Sequence, residues 1–279
     1  MKRIFAFGLF ILCLSFVSVF DVSAQTSKVV PMDLSQADID KIIKKFTANE
    51  AEFRAALTNY VFNRYAVVQT VGMGGQITGS FERDSFMSLT PDGQRFEKIL
   101  RAPIATTPPG FVTPEDLEDL GGVNPFAIEP SRINEYNFLY LGKEKIDELN
   151  LHVFEVTPKV IPNPKKTNLR LFIGRIWVDD ADFMIVKSKG KAVPETKENK
   201  FPVVETWREN IDDKYWFPSY ATSDDELLFD SGYTVKLRLR VRFKDYKQGR
   251  TDIKILDGDE EVIEDTKPAA TPSPTPKKP

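Results

Sequence analysis

Residues 235–244 read Val-Lys-Leu-Arg-Leu-Arg-Val-Arg-Phe-Lys, apolar at every odd position and basic at every even one. A β-strand turns successive side chains to opposite faces, so this segment buries one face and presents five cations on the other. One apolar and one wet face belong to an antiparallel sheet. The last strand is therefore expected over 233–246, after the turn residues Asp230-Ser231-Gly232.

The same pattern recurs along the chain. Tyr60 to Val71 is rich in β-branched and aromatic residues, and Gly72-Met73-Gly74-Gly75 interrupts it as a hairpin turn. Strands follow over 76–90 and 94–100, with Pro91-Asp92-Gly93 as the turn between them. Three further hairpins are expected over 136–157, 169–193 and 203–223. Their connections are 147–150, 179–182 and 212–214, all containing Asp, which tolerates turn geometry. The whole is a long meander, which can close as a barrel or remain open and curved.

Helical periodicity is confined to the start. Ser35 with Asp38 forms a capping pair, and Ile39, Ile42, Ile43 and Phe46 follow at helical spacing. Asn49 is placed to cap a second stretch carrying Phe53, Ala56 and Leu57. Residues 101–130 are irregular and rich in proline, with one short helix expected from Glu115 to Leu120 after Pro114.

The ends change the picture. Met1-Lys2-Arg3, the apolar run Ile4 to Phe20 and the small residues at Val22-Ser23-Ala24 make a secretory signal over residues 1–24. An uncleaved anchor is the alternative. Export across an inner membrane to the periplasm or cell envelope is expected. Cys13 is the only cysteine and leaves with the signal, so no disulfide supports the mature fold. Loss of Lys2, Arg3 and Asp21 takes the net charge from −3 to −4, which argues against nucleic acid as the main partner. A single domain is expected over 25–257, followed by an acidic and then proline-rich tail over 258–279 whose composition cannot support a packed core.

Candidate chemistry is sparse. The single histidine, His152, sits in the strand pattern Leu-His-Val-Phe-Glu-Val and is expected to be satisfied within the sheet. Zinc, calcium and a phosphate loop all lack their residue sets, so neither metal nor cofactor is expected. The acidic runs 179–182, 224–226 and 257–261 read as turns and edges. The cations Lys236, Arg238, Arg240, Arg242 and Lys244 either pair with acids such as Asp224 and Glu226 on a neighbouring strand or meet anionic headgroups.

The order of elements resembles the LolA-like superfamily of envelope carriers, which includes RseB and LppX type proteins. The segments that carry the resemblance are Tyr65-Ala-Val-Val-Gln-Thr70, Gly79-Ser-Phe-Glu-Arg83 and Gly174-Arg-Ile-Trp-Val-Asp-Asp180 with Phe183-Met-Ile-Val186. Trp216-Phe-Pro-Ser219 and Phe243-Lys-Asp-Tyr246 add to it. The resemblance implies an α+β fold, an open antiparallel half-barrel of about ten strands with helices covering the concave face. It further implies a non-enzymatic monomer that holds acyl chains or a lipidated partner in a hydrophobic hollow. Val235, Leu237, Leu239, Val241 and Phe243 would line that hollow, and Ile39, Ile42, Ile43 and Phe46 would contact it as a lid. An ordinary packed core is the alternative for each of these residues. An envelope sensor or scaffold with a filled core is a second function consistent with the pattern, and a carboxylate-based hydrolase a third.

Overall fold

The computed structural model of the chain describes residues 28–89, 95–109, 111–113, 116, 128, 130–167, 169–197 and 199–249. The signal segment, the Pro91-Asp92-Gly93 turn, the acidic run 257–261 and the tail lie outside these residues, as does the expected helix 115–120 apart from Asp116.

Ten strands form one antiparallel sheet. They are β1 (Tyr60–Val71), β2 (Ile77–Leu89), β3 (Arg95–Arg101), β4 (Tyr136–Ile146), β5 (Leu149–Pro158), β6 (Leu171–Asp179), β7 (Ile185–Val193), β8 (Val204–Ile211), β9 (Tyr215–Leu228) and β10 (Thr234–Gln248). The order is β3-β2-β1-β10-β9-β8-β7-β6-β5-β4. Two meanders are thus joined where β10 returns beside β1, with Val68 opposite Leu239 and Ala66 opposite Val241. The sheet is an open half-barrel, with β3 and β4 at its two ends. Residue Val30 forms a bridge to Lys143 on β4, Val30 N–H donating at 2.7 Å. The strap fits because position 142 is glycine with φ +129, where a Cβ would meet the Val30 carbonyl at 2.1 Å.

The helix α1 (Gln36–Leu57) lies on the inner face, and a 3-10 helix spans Pro130–Glu135. Among the described residues the expected pair of N-terminal helices is a single helix. Asn49 does not cap. Its side-chain amide donates to the carbonyls of Asp182 and Phe183 at 2.9 and 3.0 Å, fastening the helix to the β6–β7 turn. Ser35 does cap, accepting from Asp38 N–H at 3.2 Å.

The helix divides the core in two. Its first half packs Ile42, Ile43 and Phe46 against Phe154, Ile176 and Val178 of β5 and β6. Its second half packs Phe53, Ala56 and Leu57 against Phe62, Phe217 and Phe243 of β1, β9 and β10. Phe46 and Phe53 are almost completely buried, so each half is anchored by a phenyl ring. Between the two halves Glu50 is fully buried and meets Arg208 of β8.

Candidate functional site

On the inner face, the part of the sheet that α1 leaves uncovered encloses a cavity of about 530 Å³. That is inside the range of roughly 300–1,000 Å³ typical of small-molecule sites. The alternation on β10 builds its floor: Val235, Leu237, Leu239 and Val241 all line it. Ala221 and Leu227 on β9, Val204 and Thr206 on β8, and Val68 on β1 extend the same surface outward. Gly190 and Ala192 on β7 form the far wall with small residues. Phe172 needs that space, since a Cβ on Gly190 would come within 2.3 Å of its ring.

The cover is the proline-rich segment. Pro108, Pro109, Phe111 and Val112 face the floor, and Phe111 and Val112 are half-buried against the core cluster that holds Leu237 and Leu239. The segment is pinned at one end by Thr106 N–H donating to the Ser80 carbonyl at 2.9 Å. At the other end Thr113 and Asp116 exchange hydrogen bonds at 2.9 and 3.2 Å. The β7–β8 connection supplies Phe201 and Pro202, and the β9–β10 hairpin supplies Phe229 and Tyr233. Leu228 and Tyr233 on that hairpin are 65% and 61% exposed, so the mouth carries apolar surface in water.

Charge at the mouth is balanced. Lys191 pairs with Glu195 at 2.9 Å and Lys200 with Asp230 at 3.0 Å. Asp116 is the one carboxylate among the described lining residues, and it is occupied in capping Thr113. No pair of facing carboxylates is present in this cavity among those residues.

The residues singled out from sequence are distributed as follows. Val235, Leu237, Leu239 and Val241 line the cavity. Phe243 lies further along β10, packed on Phe62 with ring centroids 6.0 Å apart. Ile42, Ile43 and Phe46 are core residues against β5 and β6, and Ile39 is half-buried beside them. That helix face packs on the β5–β6 half of the sheet, while Pro108, Pro109, Phe111 and Val112 line the cavity opposite β10. Sequence reasoning missed that cover because a proline-rich stretch has no periodicity. The signal it offered was a pair of large apolar residues, Phe111-Val112, set between Pro109 and Pro114.

The outer face resolves the basic stripe. Lys236 pairs with Glu226 at 3.6 Å, Arg238 with Asp224 at 2.9 Å, and Arg240 also reaches Asp224. Glu226 and Asp224 stand directly opposite Lys236 and Arg238 in the β9–β10 register, whereas Arg240, opposite Thr222, reaches Asp224 diagonally. Further round, Lys187 lies over both Trp207 and Trp177, at 4.2 and 4.8 Å from the ring centroids. Lys187 and Lys189 both approach Glu205. Burial pushes the Glu205 carboxyl up, but the two lysines and the Trp207 N–H together hold it below its ordinary value.

His152 is buried in the sheet. Its Nδ1 lies 3.1 Å from the Tyr140 hydroxyl and its ring stacks on Phe183. Burial holds its pKa below the ordinary value, with Lys143 adding to the effect. No cluster of His, Cys, Asp and Glu suited to a metal occurs among the described residues. No described helix is long and apolar enough to cross a membrane.

No family model matches the chain, and no curated protein matches it. Solved structures do. The LolA superfamily protein NE2245 from Nitrosomonas europaea is 14% identical, covers 77% of this chain and 94% of its own, and has a TM-score of 0.32. A DUF1329 family protein from Desulfovibrio piger is 12% identical over 81% of this chain and 96% of its own, with a TM-score of 0.35. A structure described as an outer membrane lipoprotein-sorting protein domain from Vibrio parahaemolyticus is 12% identical over 77% and 95%, with a TM-score of 0.35.

Proposed function

We propose that the protein is a non-enzymatic binder of acyl chains, acting in the cell envelope, where it holds a lipid or the lipidated end of a partner in the inner-face cavity. The observation that carries this reading is the lining. Four consecutive inward residues of β10 present an aliphatic floor, and the facing cover is proline, phenylalanine and valine. An apolar hollow of this size gains about 25 cal/mol for each Å² of apolar ligand surface it removes from water. A methylene chain offers little else, so it is the ligand chemistry that such walls select.

The polar atoms support the same assignment. The charged lining residues Lys191 and Lys200 belong to loop-side ion pairs with Glu195 and Asp230, away from the aliphatic residues of β10 in sequence. A ligand with a long apolar part and a polar end fits a cavity with a mainly apolar lining and a few charged residues. The secretory pattern at residues 1–24 would deliver the chain to a compartment that contains such molecules.

The test is to recover the mature protein from a periplasm, extract it with organic solvent and identify the extract by mass spectrometry. A fluorescent fatty acid is then titrated into the delipidated protein. Co-purified acyl lipid and saturable fluorescence are expected. If no lipid co-purifies and the probe does not bind, the reading is wrong.

A further inference from the structure

Two cations line the cavity without their counter-ions. Lys191 of β7 and Lys200 of the β7–β8 connection are lining residues, whereas their ion-pair partners Glu195 and Asp230 are not. At 33% and 17% exposure both lysine side chains are partly withdrawn from water, which strengthens the charge interactions they make. The other charged lining residue among those described is Asp116, whose carboxylate already accepts the Thr113 N–H. The described lining therefore carries two positive charges against one negative.

A lysine ammonium has three N–H donors. Among the described residues Lys191 Nζ gives one to Glu195 at 2.9 Å, and Lys200 Nζ gives one to Asp230 at 3.0 Å. The remaining donors of each are open to water or to a ligand. The acids also have other means of satisfaction if a lysine turns to a ligand. Glu195 accepts the Phe201 N–H at 3.1 Å, and the Asp230 side chain is 50% exposed. An acceptor that carries negative charge makes the stronger bond to an ammonium, roughly twice that of a neutral one. A hydroxyl or an amide in the same place gains much less.

We propose that Lys191 and Lys200 form an anion subsite of this cavity, so that its ligand is an acyl lipid whose polar end is an oxyanion, a carboxylate or a phosphate. This rests on the acyl-binding reading above and names the head chemistry that the same cavity selects. The aliphatic floor of β10 takes the chain, and the lysines take the head. Phe201 and Pro202, next to Lys200 in the chain, add apolar lining beside them.

The experiment uses matched anionic and neutral probes with the same palmitoyl chain: palmitate against palmitamide, and palmitoyl lysophosphatidic acid against monopalmitoylglycerol. Each is titrated into the delipidated full-length mature protein at mildly alkaline pH, where both acids are ionised. Wild type is expected to bind at least one anion more tightly than its neutral mate by roughly tenfold, the order of a charge-assisted hydrogen bond at a partly exposed site. A preference for palmitate alone marks a carboxylate head, and a preference for the lysophosphatidic acid alone marks a phosphate. Combining Lys191→Met with Lys200→Met should bring the ratio of affinities to about one, whereas Lys191→Arg with Lys200→Arg should keep it, since the charge and donors remain. A ratio taken on a single variant cancels any general loss of folded protein. Equal binding within both pairs by wild type would overturn the proposal while leaving the acyl-binding reading intact. So would a preference that survives in the methionine variant. Failure of every probe to bind wild type would remove both readings together.

Discussion

Arg208 of β8 holds Glu50 of α1 through two hydrogen bonds, of 2.6 and 3.0 Å, at a place where both side chains are nearly sealed from water. The guanidinium also stacks over Phe53, 4.5 Å from the ring centroid. This bidentate pair is a charged clasp between the helix and the middle of the sheet. Removing one partner strands the other in a dry interior. Glu50→Ala or Arg208→Ala should therefore lower stability by about 3–5 kcal/mol. Replacing both with apolar residues of similar volume should recover most of that loss. Chemical denaturation of the two single variants and the double variant provides the cycle that checks it.

Phe46 separates a core role from a lid role. It is fully buried and packs on Phe138 and Phe154, with ring centroids 5.7 Å away in both cases. Phe46→Ala should cost about 3–5 kcal/mol in denaturant. Because Phe46 is not among the residues that line the cavity, the folded fraction of this variant should bind an acyl probe with unchanged affinity. A large gain or loss in affinity at constant fold would assign Phe46 to a lid.

His152 predicts an acid weakness. The unfolded chain takes up a proton near the ordinary value of 6.5, whereas burial and Lys143 delay uptake in the folded state, against a smaller opposing effect of Asp180. The unfolded state then binds more protons, so stability is fully present above about pH 6.5 and falls as the pH drops below it. The midpoint of denaturation should decline between about pH 7 and pH 5, before ordinary carboxylates titrate. As the chain has a single histidine, His152→Gln should flatten the profile in that window.

The outer stripe predicts little. Asp224 serves both Arg238 and Arg240, but all three side chains are substantially exposed. Asp224→Asn should change stability by no more than about 1 kcal/mol, and the difference should shrink as salt is added. A larger, salt-independent loss would mean that the pair is more than a surface contact.

The strands were legible because period-two patterning and Asp turns are local. Asp147, Asp212 and Asp213 do take positive φ at their turns. At the β6–β7 turn the left-handed residue is Phe183 and not one of the neighbouring aspartates. That choice follows from the contact with α1, which the local sequence does not contain. The continuity of α1 was hidden for a related reason. Phe46, Glu50, Phe53 and Leu57 share one face, and a charged residue in that stripe reads as an interruption until Arg208 is known to meet it. The floor of the cavity could be read from β10 alone. Its cover could not, because it depends on where a non-periodic loop folds back, which is settled by tertiary contacts such as Thr106 with Ser80.

The most direct measurement is photo-crosslinking with a fatty acid bearing a diazirine near the end of its chain, followed by peptide mapping of the delipidated, reloaded protein. Adducts are expected on the inward residues of β8 to β10 and on Pro108, Pro109, Phe111 and Val112, competed away by unlabelled fatty acid. Adducts confined to α1 or to the outer face, or no competed adduct at all, would contradict acyl binding in the inner-face cavity.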